Sequence, residues 1–349
     1  MMSRTPRAMQ TIGKGRSHAS PAEAMRQLLV QPRLITMPCC YDALSARLIE
    51  RAGFPLTFMS GFAVSSARLG LPDTGLISYG EMLDQGRNIC EAVSIPVIGD
   101  GDTGYGNALN VKRTVEGYAR AGFACVMIED QVWPKRCGHT QGKQTVSREE
   151  ALTRLRAALD ARDEGAGILI LARTDAAATE GFDEALTRAR AFADLGADIT
   201  MLEAPTSEAE MRAYCETVPG PKMANLIEQG RTPFLRPEKL EEIGYKLIAY
   251  PLTLQLTAVQ AMTESLQALA QGRHPENLAS FADLQSIVGF PDYFEAESRY
   301  APPSPGTPVI QGPYSPTCFP AKPDQRVAVP GRETEQARPH APEFAKRVE

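Results

Sequence analysis

The sequence has no run of eighteen apolar residues, no stripe of basic residues and no CxxC pair. The first absence argues against a membrane-spanning helix. The second, with a net charge of −5 and a pI near 5.6, removes the electrostatic footprint expected for nucleic acid or an anionic membrane. An acidic ligand must then be held by a local site. Seven cysteines (Cys39, Cys40, Cys90, Cys125, Cys137, Cys215, Cys318) are odd in number and scattered, which indicates neither a disulfide framework nor a zinc site. Residues 1–20 carry basic side chains but no apolar core of a signal peptide. A cytoplasmic protein is expected, with a transit peptide the alternative left by the Arg- and Ser-containing start.

What is present is enough chain for a full core. At 349 residues, 43% hydrophobic and 23% charged, one large domain or two ordinary ones are expected, and collagen, coiled coil and wholesale disorder are excluded. Of the 27 prolines, 11 follow Tyr300, so the last 49 residues read as a disordered or polyproline II tail. Its PxxP spacings match SH3 ligands, but an inert tail is the simpler reading. The expected organisation is a flexible segment 1–20, a folded body 21–300 and a Pro-rich tail 301–349.

Within the body, short apolar or β-branched runs alternate with amphipathic stretches. Candidate strands fall at 34–38, 56–60, 96–100, 125–130, 168–172, 198–203, 222–226 and 246–250. Candidate helices fall at 42–52, 111–121, 147–161, 183–195, 207–217 and 236–243, several followed by glycine (Gly53, Gly122, Gly196, Gly244), a helix C-terminal signal. Eight such units predict an α/β fold, a (β/α)8 TIM-type barrel, with a doubly wound open sheet as the alternative. The barrel makes a sharp demand: reactive residues must cluster at the C-terminal ends of the strands. Beyond the eighth unit, 253–271 reads as a helix and 278–299 as another, broken at Gly289-Phe290-Pro291.

The strand ends carry suitable chemistry. The third ends in Asp100-Gly101-Asp102-Thr103-Gly104-Tyr105-Gly106 and the fourth in Glu129-Asp130, with Asp73 in Leu71-Pro72-Asp73 a further candidate. Carboxylates converging there suit a hard divalent cation, Mg²⁺ or Mn²⁺. A solvated turn is the competing reading of the glycine-aspartate run. An EF-hand fails, because Val111 stands where the bidentate Glu is needed. After the fourth strand, residues 131–143 concentrate a thiol, an imidazole, three cations and the only Trp. Cys137, flanked by Lys135, Arg136 and His139, suits a thiolate or a positioned proton donor, against the alternative of an inert buried thiol. Arg173 ends the fifth strand, Glu203 the sixth, Asn225 the seventh and Ser60-Gly61 the second. The arginine can bind a carboxylate bidentately, and backbone amides at Ser60-Gly61-Phe62 can receive an oxyanion.

Lys135-Arg136-Cys137-Gly138-His139 resembles the KKCGH/KRCGH signature of the isocitrate lyase and phosphoenolpyruvate mutase superfamily. Ser60-Gly61, Leu71-Pro72-Asp73, the Asp100 to Gly106 run and Ile128-Glu129-Asp130 match further blocks of it in order. The resemblance spans about residues 22–300. Val146-Ser147-Arg148-Glu149-Glu150-Ala151, Lys222-Met223-Ala224-Asn225 and Ala249-Tyr250-Pro251-Leu252 look most like the branch of petal death protein, 2,3-dimethylmalate lyase and oxaloacetate hydrolase.

The resemblance implies roles. Asp100 would hold Mg²⁺ directly, with Asp73, Asp102 and Glu129 holding its waters. Ser60, Gly61, Phe62 and Arg173 would grip the α-oxyacid end of a dicarboxylate. Cys137 would act as general acid on a gating loop with Lys135, Gly138 and His139, and Glu203, Asn225, Pro251 and Leu252 would complete the pocket. A last helix swapped between subunits, matching 278–299, would give a homotetramer. The expected activity is cleavage of a substituted malate, such as 2,3-dimethylmalate, to an α-keto acid and a carboxylic acid through an enolate-like intermediate. Oxaloacetate hydrolysis and 2-methylisocitrate cleavage are the alternatives, ahead of a phosphonomutase or a non-catalytic metabolite-binding barrel. Phe58 departs from the Tyr found in many isocitrate and methylisocitrate lyases, which weakens direct transfer of that activity. The phosphonomutases lack the cysteine motif, so Cys137 argues against phosphoryl chemistry.

Overall fold

Eight short, largely buried strands set the architecture: β1 Ile35–Cys40, β2 Thr57–Met59, β3 Val97–Asp100, β4 Cys125–Glu129, β5 Leu169–Thr174, β6 Ile199–Leu202, β7 Met223–Asn225 and β8 Leu247–Tyr250. They belong to a computed structural model that describes residues 19–137 and 142–300. All neighbouring strands are parallel, in the order β6-β5-β4-β3-β2-β1-β8-β7. A lone parallel bridge between Thr200 and Lys222 joins the two outer strands. The sheet therefore closes into a TIM-type barrel, and the doubly wound alternative is set aside.

Side-chain alternation explains the core. Met37 and Cys39, Cys125 and Met127, Leu169 and Leu171, Ile199 and Met201, and Leu247 and Ala249 form one cluster, each pair two residues apart on its strand. The intervening Val126, Ile128, Ile170 and Ala172 join a different cluster with helix residues such as Val115, Leu155 and Phe192. Period two thus sends one set into the barrel and the other against the helical ring.

The helices are α1 Pro21–Leu29, α2 Ala43–Arg51, α3 Gly61–Leu69, α4 Tyr79–Ala92, α5 Ala108–Ala121, α6 Arg148–Ala161, α7 Phe182–Leu195, α8 Glu208–Thr217, α9 Pro237–Ile243, α10 Thr253–Ala270, α11 Phe281–Val288 and α12 Phe290–Tyr300. Asp42, Ser78, Asn107, Ser147 and Ser207 cap five of them by accepting first-turn amides. Gly122, Gly196 and Gly244 end α5, α7 and α9 in the left-handed conformation, and Gly53 follows α2 at φ 88°.

Sequence periodicity missed α1, α3 and α4. Helix α3 is short and made largely of small or apolar residues, so no polar stripe marks it. Helix α4 contains two glycines, each worth about 1 kcal/mol against a helix. Gly86 is nonetheless required, because a Cβ there would lie 2.3 Å from Phe123 Cζ. Past the barrel, α10 buries only Ala268, while α11 and α12 meet at the expected break, Gly289. No described helix is long and apolar enough to cross a membrane. The expected tail 301–349 and all but the last two residues of the expected segment 1–20 lie outside the described residues.

Leu171 is fully buried inside the barrel. Leu171→Ala is expected to lower unfolding stability by about 2–5 kcal/mol, read from urea denaturation midpoints.

Candidate active site

The C-terminal ends of the strands converge on one cleft. At the end of β2, Ser60 caps α3, and the Gly61 amide donates to Asp100 Oδ2 at 3.1 Å. A Cβ on Gly61 would lie 2.6 Å from that oxygen, so only glycine lets β2 and β3 approach this closely. Asp100 Oδ1 accepts from the Asp102 amide at 3.1 Å, and the Asp100 carbonyl accepts from Tyr118 at 2.7 Å. The turn after β3 thus folds back onto its own first carboxylate. From the next loop, Lys135 Nζ donates to Asp73 Oδ2 at 2.6 Å and lies 2.8 Å from Asp102 Oδ1, with all three side chains almost fully buried.

Arg173, on β5, organises the opposite side. Its Nε and Nη2 donate to Asp175 Oδ2 and Oδ1 at 2.8 and 3.0 Å, while Glu129 lies 3.3 Å from Nε and Glu203 lies 3.7 Å from Nη2. Asn225 Nδ2 donates to Glu203 at 3.2 and 3.3 Å, linking β7 to the group.

Burial dominates the acid–base behaviour. It pushes Asp100 up to about 6, with the Asp102 charge adding to it, and it raises Glu129 well above the usual carboxylate range despite Arg173. Asp73 is raised for the same reason. Burial pulls Lys135 down, but the facing carboxylates, Asp102 foremost, outweigh it and hold the ammonium well above its ordinary value. Asp175 moves the other way: Arg173 and then Lys143 overcome burial and hold it well below.

The cleft, about 550 Å³ counted with the solvent at its mouth, is lined by Ser60, Phe62, Asp73, Asp100, Glu129, Lys135, Cys137, Arg173, Glu203, Asn225, Pro251 and Leu252. These are all sequence-predicted. Gly61 and Asp102 sit directly behind them, whereas Gly138 and His139 lie outside the described residues. Cys137 is half-buried. The other described cysteines lie on strands or helices, where burial pushes Cys40 up to about 12.

The segment bearing Cys137 leaves and re-enters the barrel rim at an antiparallel bridge between Gln131 and Thr145. Trp133 within it packs edge-on against Tyr105 of the aspartate turn, with ring centroids 5.7 Å apart.

Four residues were not assigned roles from sequence. Asp130 accepts from Thr174 Oγ1, the Asp175 amide and Arg188 Nη1, and Asp175 also binds Lys143. Asp130 and Asp175 each adjoin or closely follow a predicted site residue at a strand end, which was the available signal. Arg188 sits in the middle of α7, and nothing in the helix pattern distinguishes this fully buried cation from one facing solvent. The apolar lining by Met127, Met201, Met223 and Ile227 follows from barrel geometry alone.

Carboxylates, an arginine and a thiol gathered at the strand ends of a barrel are the arrangement of an enzyme active site. The phosphoenolpyruvate phosphomutase family profile matches residues 25–270. The chain belongs to that family, within the PEP mutase/isocitrate lyase superfamily. It is 41% identical to 2,3-dimethylmalate lyase of Eubacterium barkeri over 284 residues, covering 80% of this chain and 98% of the relative. A structure of oxaloacetate acetylhydrolase with 3,3-difluorooxalacetate superposes with a TM-score of 0.78 at 34% identity, covering 80% of this chain and 97% of the other. Phosphonopyruvate hydrolase, solved with oxalate and Mg²⁺, gives a TM-score of 0.72 at 29% identity, covering 81% and 99%.

The acid cluster fits such an ion. Asp102 Oδ2 and Glu129 Oε1 are buried with no hydrogen-bond partner among the described residues, an arrangement that ordered water around a cation would satisfy. No three acidic, thiol or imidazole groups among the described residues form a direct ligand set.

Without a cation, ionising Asp100 costs the folded state more than the unfolded chain, so its contribution to stability falls as pH rises from about 4 to about 6. A divalent cation bound at Asp100 would offset that loss. Mg²⁺ is expected to raise the melting temperature over an EDTA-treated sample by several degrees at about pH 7.5 and by much less at about pH 5, read by thermal melts.

Proposed function

We propose that this enzyme cleaves the C2–C3 bond of a malate-type 2-hydroxydicarboxylate, with 2,3-dimethylmalate as the substitution pattern, to an α-keto acid and a carboxylic acid. The observation that carries this reading is that Arg173, the acid cluster and the Cys137 thiol open into one cleft with an apolar wall. Asp100 would hold Mg²⁺, or Mn²⁺ in its place, directly, and Asp73, Asp102 and Glu129 would hold it through water; when bound, the ion would supply positive charge for the oxygen that becomes the keto group. Ser60, with the amide of Phe62 at the start of α3, and the guanidinium of Arg173 bind the α-oxyacid end, while the Gly61 amide holds Asp100 beside them. Glu129, at the end of β4 beside Arg173, takes the hydroxyl proton. Cys137 delivers a proton to the departing carbon, and solvent returns the proton from Glu129 to the thiolate. Lys135 offsets part of the charge of the acid cluster. Glu203, Asn225, Pro251 and Leu252 shape the far wall, which with Phe58 and Phe62 suits alkyl substituents at C3.

The likeness to oxaloacetate acetylhydrolase supports a second reading, hydrolysis of oxaloacetate to oxalate and acetate. A reducing cytoplasm suits the scattered thiols. We also propose a homotetramer, supported by the exposed Leu256, Val259, Met262, Phe281, Phe290 and Phe294 on α10–α12, an apolar surface that a second copy would cover.

The activity is tested with 2-hydroxy and 2-oxo dicarboxylates of four to about seven carbons in the presence of Mg²⁺. On the best substrate, Cys137→Ser and Asp100→Ala are each expected to lower kcat by about a hundredfold or more. Full turnover in both variants would sink the mechanism. Oxaloacetate cleavage unaffected by Cys137→Ser would favour the hydrolase. For the assembly, light scattering should give about four times the 37.9 kDa chain mass, and Phe294→Asp should reduce it.

A further inference from the structure

Lys143 connects the segment bearing Cys137 to the other side of the cleft. Its ammonium donates to Asp175 Oδ1 at 2.9 Å, and both side chains are buried, 2% and 0% exposed. The same Asp175 oxygen accepts from Arg173 Nη2 at 3.0 Å, and the other oxygen accepts from Arg173 Nε at 2.8 Å. One carboxylate thus serves a lysine from the loop and the side edge of the cleft arginine.

The backbone of Asp175 is fixed independently. Its amide donates to Asp130 Oδ1 at 2.8 Å, and Asp130 is anchored by Arg188 Nη1 at 3.0 Å. Arg188 Nη1 also donates to the carbonyl of Val146, at 2.8 Å, so the chain just past Lys143 is anchored to the same group. What remains adjustable is the plane of the Asp175 carboxylate. A guanidinium paired edge-on with a carboxylate is coplanar with it, and once its Nε–Nη2 edge is occupied, that plane decides where its Nη1–Nη2 end meets a ligand. Lys143, bonded to one oxygen of the pair, is a hold on that plane from outside the Arg173 pair.

We propose that Lys143 is a positioning residue for the reaction: through Asp175 it sets the orientation of Arg173, and so couples the grip on a substrate carboxylate to the segment that carries Cys137. The inference rests on Arg173 being that grip, as proposed above.

The test titrates the Mg²⁺-loaded enzyme with oxalate by calorimetry and measures KM and kcat on the best dicarboxylate. Arg173→Lys comes first: if it leaves oxalate affinity unchanged, the carboxylate grip is wrong and the inference falls with it. With that loss established, Lys143→Gln is expected to weaken oxalate and raise KM about tenfold with a smaller change in kcat, and Lys143→Arg, which keeps the charge, to stay within about threefold of wild type. Thr145→Val removes hydrogen bonds from the same loop base to Thr179 and Glu180. It is expected to lower the melting temperature and leave oxalate affinity unchanged. Wild-type affinity and KM in Lys143→Gln would overturn the proposal, as would an equal loss in Thr145→Val. Should Lys143→Gln fail to fold, Lys143→Met, which keeps the length of the side chain and removes its ammonium, is judged by the same numbers.

Discussion

The structure depends on how a buried concentration of negative charge is held together. Asp73, Asp100, Asp102 and Glu129 sit at the mouth of the barrel with little access to water. Taking such groups out of solvent costs several kcal/mol each unless opposite charge lies close by. Lys135 supplies that charge on one side and Arg173 on the other. Among the described residues no donor reaches Asp102 Oδ2 or Glu129 Oε1, which is room that a cation with its water would fill. The cost of assembling these acids and their fitness for a divalent ion, as proposed, are two sides of one arrangement.

Barrel geometry makes the arrangement possible. Parallel strands finish together, so residues far apart in sequence arrive within hydrogen-bonding range. Gly61 and Asp100 lie 39 residues apart and Asp73 and Lys135 62 apart, yet each pair is in direct contact. The small side of these pairs matters as much as the charged side. Gly61 is where β2 comes close enough to brace Asp100, and a methyl group there would displace it.

Much of this was legible in the sequence. Each candidate strand overlaps an observed one, and every predicted site residue within the described chain lies in the cleft or directly behind it, because strand-end position and residue type are local properties. What was not legible depended on contacts with no local signature. Gly86 and Gly80 hid α4, since the packing that favours glycine at 86 comes from Phe123, distant in sequence. Arg188 looks like a solvent-facing helix residue until α7 is laid against Asp130 and Val146. Asp175 lies two residues after Arg173, but its contact with Lys143, 32 positions away, has no local signature.

The aromatic contact at the rim has a consequence of its own. Trp133 is the sole tryptophan in the sequence, and its ring rests on Tyr105, which in turn meets Tyr79 beneath the Arg113 guanidinium. Tyr105 belongs to the aspartate turn and Trp133 to the segment carrying the thiol. All indole fluorescence of this protein therefore originates where those two segments touch, and the enzyme carries a built-in optical gauge of their separation, readable without a label.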